Sequence, residues 1–239
     1  MEAMALETLV ASVWKLEGFL SVTRHPVRVT GGYSDIDIVG IRADGSVRMA
    51  ECKARGPARC VNVEAVSHGW SCDWDDSLAN VARVWNSPPP WLPLAAKTKM
   101  LEFHLVGNVW FPSKDTRDRA ETRLTQALRQ HVPRALRSRA RARVFSSAEL
   151  FTSAIRRVRT DIVDDKWGKR YGDPLLDALR ELVRYAHPEP KGARGMRNAI
   201  QEGIRSDLLS ALFGDVSQPE RNSSKQRRSA VRETSAATA

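Results

Sequence analysis

Two short apolar segments with charged ends constrain this chain more than any other feature. The first is Asp35-Ile36-Asp37-Ile38-Val39-Gly40-Ile41. The second, after a short turn, is Val47-Arg48-Met49-Ala50-Glu51-Cys52-Lys53. Both are rich in strand formers, and Ala43-Asp44-Gly45 between them carries turn residues, so the pair predicts a β-hairpin. Side chains alternate faces along a strand, so Asp35 and Asp37 share one face of the first segment, and Glu51 and Lys53 share one face of the second. Whether the two sets face the same way depends on the loop. A two-residue Asp44-Gly45 loop pairs Asp37 with Cys52 and turns Glu51 to the opposite face. A three-residue Ala43-Asp44-Gly45 loop pairs Asp37 directly with Glu51. The second is a type I turn closed by a residue in the left-handed region, and Gly45 stands where that residue is needed.

Carboxylates on facing strand positions repel each other unless a cation lies between them. Such hard oxygen ligands suit Mg²⁺ or Mn²⁺, and Mg²⁺ takes only one or two carboxylates while keeping several waters. A cation held there polarises a phosphodiester and activates water. Lys53 beside it can orient the water or offset the negative charge of the transition state. The chemistry of a metal-dependent nuclease therefore requires the three-residue loop, or a bulge that restores the same parity. A strict two-residue turn counts against it, and the alternative for either loop is an edge hairpin whose charges form a solvated face.

The surroundings of the hairpin extend the pattern. The order is helix, strand, strand with Glu-x-Lys, helix. There is a glutamate early in the first helix (Glu7), a Gly18-Phe19 pair where that helix ends, Ile36-Asp37-Ile38-Val39, and Glu51-x-Lys53. Over residues 5–55 this resembles the PD-(D/E)xK (restriction-endonuclease-like) nuclease superfamily, and locally its archaeal Holliday-junction resolvase branch. The proline of the superfamily's name is absent, because Ile36 precedes Asp37. The resemblance implies an α/β restriction-endonuclease-like core, a mixed β-sheet flanked by helices. It implies a site of Glu7, Asp37, Glu51 and Lys53, in which the three acids hold Mg²⁺ or Mn²⁺ with the backbone carbonyl of Cys52 as a further ligand. Family position nominates Glu7. The helical wheel of Leu6, Leu9, Val10, Val13, Leu16 and Leu20 puts Glu17 nearer its apolar centre and Glu7 on its flank. We follow the family position. Asp35 has the same facing as Asp37 and reads either as an outer ligand or as the exposed start of a strand. The local resemblance does not carry junction specificity with it.

Charge is distributed unevenly along the 239 residues, whose formal net charge is +10. Residues 1–113 hold 11 Lys/Arg against 12 Asp/Glu, whereas residues 114–239 hold 27 against 16. Acids that bind a cation repel a polyanion, so a basic surface elsewhere must recruit it. DNA is the expected partner, with RNA left open because charge sign does not distinguish the two. The three cysteines, Cys52, Cys60 and Cys72, are odd in number and lack zinc-type spacing, which points to a reduced, cytoplasmic setting. Alternation sends Cys52 away from Glu51 and Lys53 and into the core. No long apolar stretch suggests a membrane span, and the N-terminus lacks the basic-then-apolar pattern of a signal peptide.

Along the chain, periodicity predicts a helix over residues 5–20. A strand follows over 21–29, with Pro26 arguing for a sheet edge. Residues 61–85 read as mostly helical. Trp70, Trp74 and Trp85 there are expected in the core or an interface rather than stacked on bases, and Asp73, Asp75 and Asp76 on a solvated face. A strand is expected over 101–111 and a helix over 116–131. Arg137, Arg139, Arg141 and Arg143 alternate with other residues, so a strand there would put all four on one face, a row suited to phosphates. Arg55, just past Lys53, is a further candidate phosphate contact. Ser146-Ser147-Ala148-Glu149 reads as an N-cap opening the next helix.

These elements make residues 1–160 the nuclease-like core. Residues 161–214 read as a C-terminal helical extension, with Asp173-Pro174 opening a helix over 175–186 and a second helix over 196–213. These helices are available to cover the core, form a homodimer or bind a partner protein. Residues 215–239 read as a disordered basic tail. The expected function is a metal-dependent endonuclease hydrolysing DNA phosphodiester bonds, in a restriction or defence setting or in recombination or repair. The alternative is a non-catalytic nucleic-acid-binding or protein-interaction module retaining the same fold.

Overall fold

The computed structural model of the protein describes residues 3–54, 61, 63, 74–109, 111, 113–164 and 170–186. Along the chain follow α1 (Ala3–Leu16), β1 (Phe19–Val29), β2 (Gly32–Arg42), β3 (Ser46–Lys53), α2 (Asp75–Asn86), β4 (Met100–Gly107), α3 (Lys114–His131), a 3₁₀ segment (Arg134–Arg139), β5 (Ala140–Ser146), α4 (Ser147–Val163) and α5 (Pro174–Ala186). The strands form one five-stranded sheet in the order β1-β2-β3-β4-β5. β1, β2 and β3 pair antiparallel through tight turns. β3, β4 and β5 pair in parallel, and their crossovers carry α2 and α3. The fold is thus α/β, a mixed sheet flanked by helices.

Local chemistry accounts for most element ends. α1 stops at Leu16 rather than near residue 20 because Gly18 turns the chain at φ 82° and donates its N–H to the carbonyl of Lys15 at 3.1 Å. Leu20 consequently leaves the helical stripe and is 77% exposed on β1. Ser113 caps α3 by accepting the N–H of Thr116 at 3.2 Å. Ser146 and Glu149 form a reciprocal capping box on α4. Asp173 caps α5 through the N–H of Leu176 at 3.1 Å.

Alternation along the strands separates two apolar layers. Val39 and Met49, with Leu101, Phe103 and Leu105 of β4 and Val144 of β5, belong to a core that includes Leu78 and Val81 of α2 and Leu124 and Leu128 of α3. Ile38, Ala50 and Val106 point to the other face, which α1 covers with Leu9, Val10, Val13 and Trp14, and α4 lies alongside α1. Each such buried side chain contributes roughly 1.5–3 kcal/mol by leaving water. Trp85 is buried in the first layer and Trp74 packs against it, so both act as core residues. Leu176 and Leu179 of α5 are also buried, and Ser12 of α1 donates to Asp173 at 3.0 Å. Among the described residues, those through Arg180 form one compact unit.

The arginine row takes a different form from the one expected. Leu136 is fully buried, and its N–H reaches the carbonyl of Pro133 at 2.8 Å, which coils residues 134–139 into a 3₁₀ segment. Arg137 and Arg139 therefore lie outside the strand. The Arg139 guanidinium donates to backbone carbonyls, including that of Ala135 at 2.6 Å. Only Arg141 and Arg143 share a face of β5. Arg141 donates to Glu102 of β4 at 2.6 Å, and Arg143 lies over the Phe145 ring at 5.5 Å. The acid that pairs with the row comes from a neighbouring strand, 39 residues away in sequence.

Glu102 is 1% exposed and also accepts from Arg48 Nε at 2.7 Å, while Arg48 pairs with Glu17. Burial pushes the Glu102 carboxyl up, but the guanidinium of Arg48 and the other positive groups around it outweigh burial and hold it below the usual carboxylate range. His104, two residues on, packs edge-on against Trp14 and beside Phe145, and neither ring nitrogen has a hydrogen-bond partner among the described residues. Arg55, Cys60, Trp70, Cys72, Asp73, the helix expected over 196–213 and the tail over 215–239 lie outside the described residues. No helix among the described residues is long and apolar enough to cross a membrane.

Burial pushes His104 down to about 3, so the unfolded chain, whose imidazole titrates near 6.5, takes up the proton first. Stability is therefore unaffected by this group above pH 6.5 and falls as pH drops from about 6.5 toward 3. His104→Phe is expected to raise stability near neutral pH by about 1–3 kcal/mol, by removing two unpaired polar atoms. It should also flatten the acid limb. Urea unfolding from pH 4 to pH 8 measures both effects.

Candidate active site

The geometry starts from the β2–β3 loop. Gly45 has φ 83° and donates its N–H to the carbonyl of Arg42 at 2.9 Å. Asp44 Oδ1 accepts the N–H of Ser46 at 3.0 Å, and the Arg42 guanidinium pairs with the same carboxylate. Arg42, then the Ser46 N–H, hold the Asp44 carboxyl well below its usual range. The Gly45 carbonyl accepts the N–H of Lys99 at 3.0 Å, tying the loop to the segment before β4. The loop is the three-residue form, with pairs Ile41↔Val47, Gly40↔Arg48, Val39↔Met49 and Ile38↔Ala50. The ladder ends at Ile38↔Ala50, and Asp37 and Glu51 are the next residue on each strand.

Asp37 Oδ2 accepts the N–H of Cys52 at 2.6 Å. Burial, then the negative charge of Glu51, push the Asp37 carboxyl up to about 7; the Cys52 N–H opposes them, and Glu7 and Asp35 add smaller like-charge effects. Lys53, two residues beyond Glu51 on the same face, pairs its ammonium with Glu51 Oε1. The Cys52 thiol lies on the other face, in the core, and burial raises it above the ordinary thiol range.

Glu7 reaches the same region from α1. It is 5% exposed, and its two oxygens accept from Arg24 Nε at 3.1 Å and Arg24 Nη2 at 3.3 Å. Glu17, the acid preferred by the helical wheel, instead pairs with Arg48 in the Glu102 cluster. Of the two candidates, Glu7 is the one whose charge is felt at Asp37. Asp35 is exposed at the start of β2.

Two residues beyond the sequence expectations complete the region. Arg24 of β1 falls between the pairs Thr23↔Ile38 and His25↔Ile36, opposite Asp37, yet is itself left out of the ladder. Its φ of 52° is left-handed, a conformation seldom adopted by a residue with a side chain. Periodicity carries no signal for it. Asn80, on the buried side of α2, donates to Ser34 Oγ at 2.9 Å and to the carbonyl of Asp35 at 2.8 Å, fixing the start of β2. Asn80 stands four residues before Val84, so helical spacing sets it on the buried side, where an amide needs a hydrogen-bond partner.

Among the described residues, no group of three or more His, Cys, Asp or Glu side chains is arranged to hold a metal ion. The pair of Asp37 and Glu51 remains, with oxygen donors alone, which suits a hard cation such as Mg²⁺ rather than zinc. Burial, then the like charge of Glu51, raises Asp37, and a bound cation would offset both.

No family model matches the chain, and no curated protein matches it. Among solved structures, the chain is similar to a crystal structure of a protein of unknown function, AF1548, with 11% identity and a TM-score of 0.36, over 90% of this chain and 100% of that one.

Two outcomes follow from the packing and charge of this region. A Cβ on Gly107 would lie 2.6 Å from the carbonyl oxygen of Lys53 and 2.5 Å from Val61 Cγ2. Gly107→Ala is therefore expected to cost about 1–3 kcal/mol and to displace the end of β3. Urea unfolding reads the cost. Asp37 titrates near 3.8 in the unfolded chain and near 7 in the folded one, so it destabilises the protein increasingly as pH rises between those values. Asp37→Asn, measured in chelator, should match wild type near pH 4 and exceed it by about 2 kcal/mol at pH 8, a figure reduced for solvent screening. Equal pH profiles for the two proteins would contradict this account of the pair.

Proposed function

We propose that the protein is a Mg²⁺- or Mn²⁺-dependent endonuclease with a restriction-endonuclease-like core, hydrolysing DNA phosphodiester bonds. What supports this reading is that Asp37 and Glu51 follow the last β2–β3 pair, each on its own strand, and that the charge of Glu51 is felt at Asp37, with Lys53 paired to Glu51. In this reading Asp37 and Glu51 hold the cation, Glu7 is the third acid, and the Cys52 carbonyl is a further oxygen donor. When bound, the cation would polarise the phosphodiester and acidify water. Lys53 keeps a positive charge at the edge of the acid pair, where it can orient a water or offset charge on the reacting phosphate. The Cys52 N–H fixes the Asp37 carboxylate, so that side chain does not have to reorganise. The basic excess of residues 114–239 supplies long-range attraction for a polyanion. Exposed Arg137, Arg141 and Arg143 are candidate phosphate contacts, although Arg141 shares its charge with Glu102. A cytoplasmic setting, in restriction or defence or in recombination or repair, fits this chemistry.

One observation favours the second reading, a binding module that retains the fold without catalysis. Arg24 and Lys53 already neutralise Glu7 and Glu51, so two of the three acids have internal partners. Such a module would bind nucleic acid with strong salt dependence and need no metal.

Cleavage assays separate the two. The full chain is incubated with linear, plasmid, single-stranded and four-way-junction DNA and with RNA, in Mg²⁺, Mn²⁺ or chelator, beside Asp37→Ala and Lys53→Ala. Metal-dependent cutting that falls at least about a hundredfold in both variants is the expected outcome. Equal cutting by all three proteins, or salt-sensitive binding with no cutting, would remove the nuclease reading.

A further inference from the structure

We propose that the cavity between α1, α4 and the end of β5 binds a small uncharged aromatic molecule carrying a hydrogen-bond acceptor, to which the buried indole N–H of Trp14 donates. The cavity shares no residue with the acids of the proposed metal site, and the inference does not depend on that reading.

Three features point to it. Trp14 is 1% exposed, and its Nε1 has no hydrogen-bond partner among the described residues. A buried donor left unpaired is costly, and such groups mark places where a further partner is wanted. The same indole is part of the wall of a cavity of about 280 Å³, together with Val13, Phe145 and Leu150. Gly40 shows how the ring is turned. A Cβ there would lie 2.8 Å from Cε3 and 3.1 Å from Cζ3 of Trp14, so that side of the indole packs on β2. Nε1 is on the opposite side of the ring, turned from β2 toward β4 and β5, where the indole meets His104 edge-on and His104 meets Phe145. Finally, the cavity lies at the C-terminal end of β5, beside the first turns of α4. β4 and β5 are parallel, and open α/β sheets bind ligands outside the carboxyl ends of such strands.

Size and charge restrict what fits. The volume is at the small end for ligand pockets and suits a single ring. Among the described residues that line it, Arg117 is the only cation, and it is already paired with Glu149 and Glu121. Glu17 and Glu149 therefore disfavour an anion at the mouth. A cation finds a donor, not an acceptor, at the buried wall. An uncharged ring with a carbonyl or ring-nitrogen acceptor satisfies the indole N–H and leaves the ion pairs in place.

The test is a titration of the ¹⁵N-labelled full chain with benzamide, followed by the indole N–H signals of its seven tryptophans. The Trp14 signal is assigned by its loss in Trp14→Phe. Benzamide should move that signal downfield and saturably, with the other indoles nearly unmoved. Toluene, which lacks the acceptor, and benzoate, which is charged, should bind roughly tenfold more weakly. Ser153→Phe is the second variant. Ser153 is exposed on α4 and lines the cavity, so a phenyl ring there should block benzamide while the fold and the Trp14 signal persist. A Trp14 signal unmoved at millimolar benzamide would overturn the proposal. So would equal affinity for benzamide and toluene, or benzamide binding that is the same in Ser153→Phe.

Discussion

The left-handed backbone of Gly45 sets the pairing of β2 with β3, and the positions of Asp37 and Glu51 depend on that pairing. Side chains alternate with a period of two, so a slip of one residue would turn Glu51 and Lys53 away from Asp37 and carry Val39 and Met49 out of the core layer they share. The loop is held from both sides. Asp44 binds the Ser46 N–H and Arg42 within the hairpin, and the Gly45 carbonyl binds the Lys99 N–H just before β4. Because β3 then pairs in parallel with β4, the register passes to the rest of the sheet, and Lys53 ends beside Gly107.

The two faces of the sheet treat buried charge differently. On the α1 face, Glu102 is nearly sealed from solvent and takes guanidiniums from Arg48 and Arg141, which over-compensate its burial and keep it ionised. On the other face, Asp37 meets Glu51 without a direct cation of its own, and its carboxyl is pushed up to about 7. The first arrangement stabilises an ion by surrounding it with partners. The second leaves a partly buried carboxyl next to a like charge, and strongly perturbed carboxyls of that kind are concentrated where proteins bind ions or move protons.

Much of this was legible locally. Ala43-Asp44-Gly45 is a loop whose parity can be worked out from residue types, and the capping signals at Ser146 and Asp173 were read at their correct positions. The helix expected over 5–20 overran because Leu20 fits the α1 stripe by spacing, while Gly18 turns the chain two residues earlier. The arginine row failed for a similar reason. Alternation suggested one strand, but burial of Leu136 coils the first half, and Glu102, which answers the second half, is remote in sequence. Arg24 gave no signal, because nothing in its neighbourhood marks a left-handed arginine.

What the sequence by itself determined was parity: which residues share a face, where a turn must be left-handed, which hydroxyls and carboxylates cap helices. These are consequences of backbone geometry over a few residues, and they suffice to bring Asp37, Glu51 and Lys53 to one side of a hairpin. Only the tertiary structure decided which charges answer one another. Glu17 goes to Arg48, 31 residues away, Glu7 goes to Arg24, and Glu102 bridges two strands. Ion pairing depends on distance in space and on burial, and neither follows from spacing along the chain.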